Sequence, residues 1–404
     1  MNRGACRRRP ALWGALALAA LGAALLSGCG TLGYYWQAAH GHVRLMRAAR
    51  PVSDWLADAQ TPERLRERLL LAQRIRRFAS EQLALPDNAS YTGYADLGRA
   101  AAVWNVVAAP PYALTLKTWC FPVAGCVGYR GYYDLQAAQA EAQAQRDAGL
   151  EASVYPVPAY STLGWLNWAG GDPLLSTFIA YPEGELARIV FHELAHQVLY
   201  VAGDTGFNES YATAVERLGG AQWLHTQASP AAREEYAAFD ARRRQMRMLM
   251  LDTRRRLEQV YDSPVARAGD WPAVEAAKQA AMAEFRARYA ALRAQWTGPR
   301  QGAWDAWVAG ANNATFAAQA AYDQGVPAFE GLFAHEGRDW PRFHAAVRRL
   351  ARLPTPEARR AALAAFTPDP AAVPAAAPPA AAPAQDARDP SLTNENRTDV
   401  RHPH

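Results

Sequence analysis

The stretch Phe191-His192-Glu193-Leu194-Ala195-His196-Gln197 decides how this chain folds and what it can do. His192 and His196 are four residues apart, so on an α-helix both imidazoles lie on one face, one turn apart. Two imidazoles placed in this way can bind one Zn²⁺ at about 2.0–2.1 Å. Glu193 follows the first histidine, where its carboxylate can accept a proton from a water at the metal. The stretch therefore predicts a hydrolytic zinc site, provided that it is helical.

The residues on either side of the motif favour that helix. Pro182 suits a first helical position, and Glu183 and Glu185 place negative charge at the positive end of the helix dipole. Gly203 is a typical residue for the end of a helix. A broad apolar stripe supplies the buried face: Leu186, Ile189, Val190, Leu194, Val198 and Leu199. We therefore expect a helix over about 182–202.

A catalytic zinc needs a third protein ligand and an open coordination position. Asn208 is a good N-cap for a second helix that ends at Gly219-Gly220, which places Glu209 in its first turn. The linker from Asp204 to Asn208 spans up to about 17 Å, enough to return Glu209 to the histidines. Glu216 lies on the same face and competes for this role; otherwise it lies behind the ligands or in solvent. The expected ligands of one Zn²⁺ per chain are His192, His196 and Glu209.

Residues 1–28 form a predicted signal peptide. Four arginines precede an apolar run, Ala11–Leu26, that is too short for a comfortable membrane span. The small residues before Cys29 resemble a bacterial lipobox, in which cleavage leaves Cys29 as the lipidated first residue. The alternative is an uncleaved N-terminal anchor, and both interpretations place the body outside the cytoplasm. Gly30, in place of an aspartate, favours the outer membrane, with the protein facing the periplasm.

The net charge of the mature chain gives no indication of nucleic-acid binding. The full chain carries a formal charge of +5, of which the four arginines of 1–28 contribute four, leaving about +1 (5 − 4). We therefore expect no nucleic-acid partner.

Two cysteines remain once Cys6 has left with the signal peptide and Cys29 carries lipid. An even pair in an oxidising envelope favours a disulfide between Cys120 and Cys126. A metal site is the alternative, although the sequence offers no second cysteine pair for it.

The rest of the sequence predicts an α+β fold that is mostly helical. Tyrosine, valine and glycine dominate 86–165, which indicates short strands around one helix near Leu135–Ala148. Val154–Thr162 is the candidate edge strand for pairing with an extended peptide, and an ordinary buried strand is the alternative. The other histidines, His225, His335 and His344, are expected to be structural or exposed.

The expected organisation follows from these patterns. A metallopeptidase domain covers 29–366, and a tail rich in proline and alanine, 367–404, is predicted to be disordered. The domain divides into a helical N-terminal part at 29–85, a catalytic core at 86–220, an antiparallel helical pair at 231–296 and C-terminal helices at 302–353.

Two sets of residues resemble known families. His-Glu-Leu-Ala-His-Gln at 192–197, followed by Asn-Glu-x-x-Ala at 208–212, is similar to the gluzincin aminopeptidases, in which the second glutamate is the third zinc ligand. The chain more closely resembles a bacterial family of envelope lipoproteins that are predicted aminopeptidases. The segments that carry this resemblance begin at Cys29, Trp119, Pro158, Asp172 and Asn312.

The resemblance implies a zincin-like core with a small sheet ahead of the motif-bearing helix, and a peptide substrate. It implies an aminopeptidase anchored by lipid on Cys29, with Glu193 as the general base. There are two alternatives. One is a zinc endopeptidase, and the other is a non-catalytic envelope interaction protein with a vestigial metal site. Tyr322 is the first candidate for stabilising the oxyanion, ahead of Tyr160 and Tyr211. The candidates for binding a substrate amine are Asp172, Glu183 and Glu216.

Overall fold

Helices form most of the fold and small sheets accompany them, so the predicted α+β, mostly helical class is confirmed. The computed structural model describes residues 33–121, 125–159, 171–297, 302, 304–319 and 325–368. The predicted signal peptide, Cys29, Tyr160, Tyr322 and the tail from 369 onwards lie outside these residues. None of the described helices is both long enough and apolar enough to cross a membrane.

The N-terminal part is helical, as the sequence predicts, and prolines mark its breaks. Pro51 and Pro62 each stand immediately before a helix. Proline suits this place because its ring fixes φ and because the first turn of a helix leaves backbone N–H groups unpaired. The helices are α1 (33–48), α2 (Val52–Ala57) and α3 (Glu63–Leu83).

The strands of the described residues form two three-stranded sheets and one hairpin. In the central sheet, of order β6-β3-β7, the middle strand pairs antiparallel with both neighbours, from Val103↔Val157 to Ala109↔Glu151 on the longer side. A smaller sheet has the order β1-β2-β8, and β4 pairs with β5. The strands are β1 (Arg50–Pro51), β2 (Gly93–Ala95), β3 (Val103–Ala109), β4 (Trp119–Phe121), β5 (Gly125–Val127), β6 (Arg130–Tyr132), β7 (Glu151–Val157) and β8 (Leu174–Leu175).

The two faces of the central sheet have different partners because alternate residues of a strand point to opposite sides. Val106 and Ala108 of β3 pack with α4 (Leu135–Asp147), the one helix predicted for this region. Val107 and Ala109 pack on the other side against α11 (Asn313–Gln319). The predicted edge strand at Val154–Thr162 is a strand only up to Val157; positions 160–162 lie outside the described residues.

Helices α5 (Glu183–Val198) and α6 (Thr205–Thr226) pack side by side in the largest apolar core. Helix α5 ends four residues earlier than predicted, and Pro182 caps it instead of starting it. The chain leaves the helix at Leu199, whose backbone is extended. Leu199 still packs against the core. Its place in the predicted apolar stripe therefore reflects contact with the core and does not require a helix.

The predicted limits of the second helix are wrong at both ends. Asp204, and not Asn208, is the N-cap, and its carboxylate accepts from the backbone N–H of Phe207 at 3.2 Å. At the other end the helix continues through Gly219-Gly220 to Thr226. A Cβ at Gly219 would lie 2.6 Å from Leu83 Cδ1, so this glycine permits close packing instead of ending the helix.

The long helical pair is present, as predicted, with its break near Asp262. Trp296 donates to Gln245, and Arg288 donates to Asp252, so the two long helices run antiparallel. The helices are α7 (Pro230–Tyr261), α8 (Pro264–Arg267) and α9 (Trp271–Gln295).

The C-terminal helices continue past the predicted limit at Leu353, and the described residues up to Thr367 belong to one unit. The helices are α10 (Asp305–Ala309), α11, α12 (Val326–His335), α13 (Trp340–Ala351) and α14 (Pro356–Ala364).

Candidate metal centre

Helix α5 brings the two motif histidines together. Its apolar side, which includes Leu186, Val190 and Leu194, is buried in the core. This fixes the rotation of the helix, and the side chains of His192 and His196 project together from one side of it. Their Nε2 atoms are 3.1 Å apart, and the ring of His196 is almost fully buried.

The chain reversal between α5 and α6 carries Glu209 to the same point. Asn208 clamps this reversal, because its side-chain amide donates to the carbonyl of Val201 at 2.8 Å and accepts from the Val201 N–H at 2.9 Å. Glu209 then lies with one carboxylate oxygen 3.4 Å from His192 Nε2 and the other 3.7 Å from His196 Nε2. Asn208 therefore positions the glutamate from within the reversal.

These three side chains fit a zinc ion. One ligand atom from each of His192, His196 and Glu209 can be chosen so that all lie within 4.8 Å of one another. Two neutral imidazoles cannot face one another through their lone pairs at 3.1 Å without a proton or a cation between them. Two nitrogens and one carboxylate are a usual donor set for catalytic zinc, which keeps its fourth position open.

Behind His192 lies a buried network of charged groups that connects α5, α6 and α7. Glu216 Oε2 lies 3.0 Å from His192 Nδ1, although without the angle of a good hydrogen bond. The other oxygen of Glu216 accepts from Arg188. Arg188 also reaches Tyr236 of α7 at 3.2 Å and Glu185 at 3.5 Å. Glu216 therefore lies behind the ligand His192, which is one of the positions that the sequence left open for it.

The pKa values of the two histidines are shifted in opposite directions. Burial alone would lower the pKa of His192, but the carboxylates of Glu209 and Glu216 beside its two ring nitrogens raise it well above its usual value. Burial lowers the pKa of His196 to about 4, so its ring is neutral and has a free lone pair. Burial would raise the pKa of Glu209, but the hydrogen bond with His192 lowers it. With its pKa lowered, the carboxylate of Glu209 stays ionised and can bind a cation.

The ligands line a cleft of about 530 Å³ between α5 and the central sheet. Glu193 lines this cleft, as do His192, His196 and Glu209. The opposite wall is aromatic and aliphatic, and it comes from α1, the hairpin and the central sheet: Tyr34, Val103, Phe121, Val127, Tyr129, Tyr133 and Val157. A cleft of this size can hold several residues of an extended peptide.

The disulfide expected from the sequence is at the edge of this cleft. Cys120 and Cys126 face one another across the β4–β5 pair and are bonded. Their neighbours Phe121 and Val127 line the cleft, so the crosslink holds part of its wall.

Several candidates from the sequence are occupied elsewhere. The hydroxyl of Tyr211 is buried and lies 2.8 Å from Nδ1 of His344, which is a structural histidine as expected. Asp172 is buried and accepts from the motif residue Gln197 at 3.3 Å, and Glu183 accepts from the indole of Trp223 at 3.0 Å. Tyr322 and Tyr160 lie outside the described residues, so their roles stay predictions.

Two tyrosines that the sequence did not single out lie near the ligands. Tyr129 and Tyr200 both line the cleft. Burial, together with the charge of Glu209, raises the pKa of each, so both hydroxyls stay protonated and can donate. The sequence carried no signal for them, because Tyr129 precedes a short strand and Tyr200 stands in the reversal after α5.

Comparison with known proteins gives one match. Residues 33–363 match the profile of a protein family described as "putative aminopeptidase". No curated protein and no solved structure matches the chain.

Proposed function

Since the chain belongs to this aminopeptidase family, we propose that it is a zinc-dependent peptidase with His192, His196 and Glu209 as its metal ligands. We infer a zincin-like core, a peptide substrate and removal of residues from a free N-terminus. Family membership supports the peptidase class, and the identity of the donor atoms supports the metal.

One observation carries the proposal: three donor side chains from two helices converge in the lining of an open cleft that Glu193 also lines. A structural zinc site is closed by four protein ligands, whereas a catalytic site has three and an open position. Among the described residues, the group of possible metal ligands at this point has three members. This arrangement favours catalysis over a structural role.

A bound zinc ion would supply a Lewis acid and a water of lowered pKa. In the proposed reaction, Glu193 accepts a proton from the attacking water and delivers it to the leaving amine. Glu216 and Arg188 keep the ring of His192 in place. The apolar wall of the cleft lowers the local dielectric constant, which strengthens these polar contacts.

We also propose that the protein is a lipoprotein of the bacterial envelope, anchored in the outer membrane by lipid on Cys29 and facing the periplasm. The bond between Cys120 and Cys126 supports an oxidising compartment, because cytosolic proteins seldom keep disulfides. Replacement of Cys29 by serine should release the protein from the membrane fraction in a high-salt wash, because the lipid is the anchor that withstands such a wash.

The catalytic proposal is tested by comparing Glu193→Gln with Glu209→Gln. Both changes keep the size of the side chain, but only the second removes a charged ligand. Glu193→Gln should retain zinc after dialysis and lose roughly 10²–10⁴-fold in peptide hydrolysis. Glu209→Gln should lose zinc affinity together with activity. Glu330→Gln, which changes a carboxylate of α12 that pairs with Arg217, is the control and should match the wild type.

Peptides with free and with blocked N-termini distinguish an aminopeptidase from an endopeptidase, because only an endopeptidase should cleave the blocked ones. A wild-type rate in Glu193→Gln would exclude Glu193 as the base. A zinc-loaded wild type that cleaves neither kind of peptide would contradict the peptidase function as a whole.

A further inference from the structure

Helix α1 forms part of the cleft on one side and is open to solvent on the other. Tyr34 and Ala38 line the cleft. Gln37 ties the helix to the central sheet, because its amide donates to the carbonyl of Gly131 at 3.3 Å and accepts from the N–H of Tyr133 at 3.2 Å. The helix is therefore fixed relative to the cleft, and so is its outer face.

That outer face is unusually apolar. Trp36 is 73 % exposed, and Tyr35 and Val43 are each 41 % exposed. They are three of the eight large apolar side chains that are exposed among the described residues, and all three lie within about two turns of one helix. Trp36, Val43 and Arg47 follow one another at helical spacing along one stripe. Exposed aromatic residues on an ordered helix indicate a contact surface.

The same face is basic. Arg44 and Arg47 are exposed, and neither forms an ion pair with a described residue. The sequence from Gly30 to Ser53 contains no acidic residue. Aromatic side chains with neighbouring arginines suit a surface that is apolar within and anionic at its boundary, which is the chemistry of a phospholipid interface.

The sequence before α1 places such an interface close by. The apolar run Ala11–Leu26 and Cys29 precede the helix directly, and Gly33 is only four positions after Cys29. Even a fully extended chain covers no more than about 14 Å over that distance. A lipid on Cys29 and an uncleaved anchor both bring the bilayer to this end of the helix. This step rests on the proposed envelope anchoring.

We propose that the outer face of α1, formed by Tyr35, Trp36, Val43, Arg44 and Arg47, docks on an anionic phospholipid surface. Because Tyr34 and Ala38 of the same helix line the cleft, docking holds the cleft beside the bilayer. The substrates that this arrangement serves are peptide chain ends held at the membrane surface. An amphipathic helix in this position binds through its buried apolar area and through attraction to anionic lipids.

Vesicle flotation of the mature Cys29→Ser protein measures this contact without the lipid anchor. The protein should float with vesicles of phosphatidylethanolamine and phosphatidylglycerol. Adding Trp36→Ser should weaken binding about tenfold. Adding Arg44→Gln or Arg47→Gln should weaken binding to these vesicles about fivefold each, and should leave binding to phosphatidylcholine vesicles unchanged. Trp271→Ser is the matched control, because Trp271 is 49 % exposed on α9, and it should have no effect.

Peptidase assays of the lipidated protein test the consequence for substrates. A peptide with a free N-terminus is supplied either in solution or tethered to vesicles by a lipid at its C-terminus. Trp36→Ser should slow cleavage of the tethered peptide and leave that of the soluble peptide unchanged. If neither peptide is cleaved by the wild type, the peptidase function fails, and flotation alone decides the docking.

Two results would overturn the docking proposal. The first is a Cys29→Ser protein that stays unbound to anionic vesicles. The second is a Cys29→Ser protein that is dimeric and becomes monomeric with Trp36→Ser, which would make this face an interface between two copies of the chain.

Discussion

Glu216 Oε2 lies 3.0 Å from Nδ1 of His192, on the side of the imidazole opposite to the Nε2 atom that faces Glu209. A carboxylate beside Nδ1 favours the tautomer that carries its proton there, which leaves the lone pair of Nε2 for a metal. Glu216 is itself held by Arg188, which contacts Tyr236 of the long helix α7. The geometry of the metal centre thus depends on packing between α5, α6 and α7.

Glu216→Gln should lower the affinity for zinc about 10- to 100-fold. Glutamine keeps the size of the side chain but removes the charge that faces His192, while Arg188 keeps its contact with Glu185. Competitive titration with a zinc chelator measures the change, and thermal unfolding with saturating zinc shows whether the fold is intact. Glu330→Gln serves as the control. An unchanged zinc affinity in Glu216→Gln would mean that the carboxylate does not act on His192.

Gly220→Ala should destabilise the protein, although alanine is normally the better helix residue. A Cβ there would lie 2.7 Å from Cγ of Arg188, which cannot move away because Glu185 and Glu216 hold its guanidinium. Overpacking costs about 1–3 kcal/mol, of which the helix preference of alanine offsets up to about 1 kcal/mol. We expect a net loss of about 1–2 kcal/mol in urea unfolding.

Gly206→Ala is the matched change at the start of the same helix. A Cβ at Gly206 has no neighbour within 4 Å, so this variant should be as stable as the wild type or slightly more stable. If Gly220→Ala is equally well tolerated, the packing between the two helices is looser than the contact with Arg188 implies.

The glycine pair also shows where prediction from the sequence fails. Gly219-Gly220 is a typical end of a helix, and nothing in the local sequence indicates that Leu83 and Arg188 pack against these two positions. Long-range contacts of this kind override local preference. The same holds for Leu199, which belongs to the predicted apolar stripe but packs against the core from extended backbone.

The metal ligands could be predicted because their spacing alone determines their geometry. The spacing of His192 and His196 needs only a helix, and Glu209 needs only a short reversal after it. The clamp of Asn208 on Val201 was not foreseen, since it depends on where α5 ends. Tyr129 and Tyr200 could not be predicted either, because tertiary packing brings them to the cleft.

His344 should make the protein less stable in mild acid. Its Nε2 lies 2.9 Å from the carbonyl of Leu83, so that nitrogen carries the proton and Nδ1 accepts from Tyr211. Burial lowers the pKa of His344 to about 4, below the usual value of about 6.5 in the unfolded chain. The unfolded chain therefore binds an extra proton between these values. The free energy of unfolding should fall by up to about 3 kcal/mol as the pH falls from about 6.5 to about 4.

Unfolding measured across this pH range with saturating zinc checks the effect. His344→Gln should lower stability at neutral pH but should flatten the dependence on pH. His225→Gln, which changes an exposed histidine, should keep the slope of the wild type. Equal slopes in all three proteins would show that His344 does not titrate differently in the folded and unfolded chains.

Tyr129→Phe should reduce the rate of peptide hydrolysis with little change in the zinc content. Tyr129 lines the cleft, and the charges of Glu209 and Glu193 both act on its pKa, which burial raises. Its hydroxyl therefore stays protonated close to both carboxylates and can donate to negative charge that develops on the substrate. Removing one such donor typically costs about 10²–10³-fold in kcat.

The kinetic pattern separates this role from substrate binding. A donor that acts on the developing oxyanion affects kcat, whereas one that only binds the peptide affects KM. Tyr35→Phe, at an exposed position of α1, is the control and should behave like the wild type on soluble peptides. Tyr322→Phe, the change predicted from the sequence, should be measured alongside. If Tyr322→Phe loses kcat and Tyr129→Phe does not, the oxyanion donor is Tyr322, and Tyr129 serves only as part of the cleft wall.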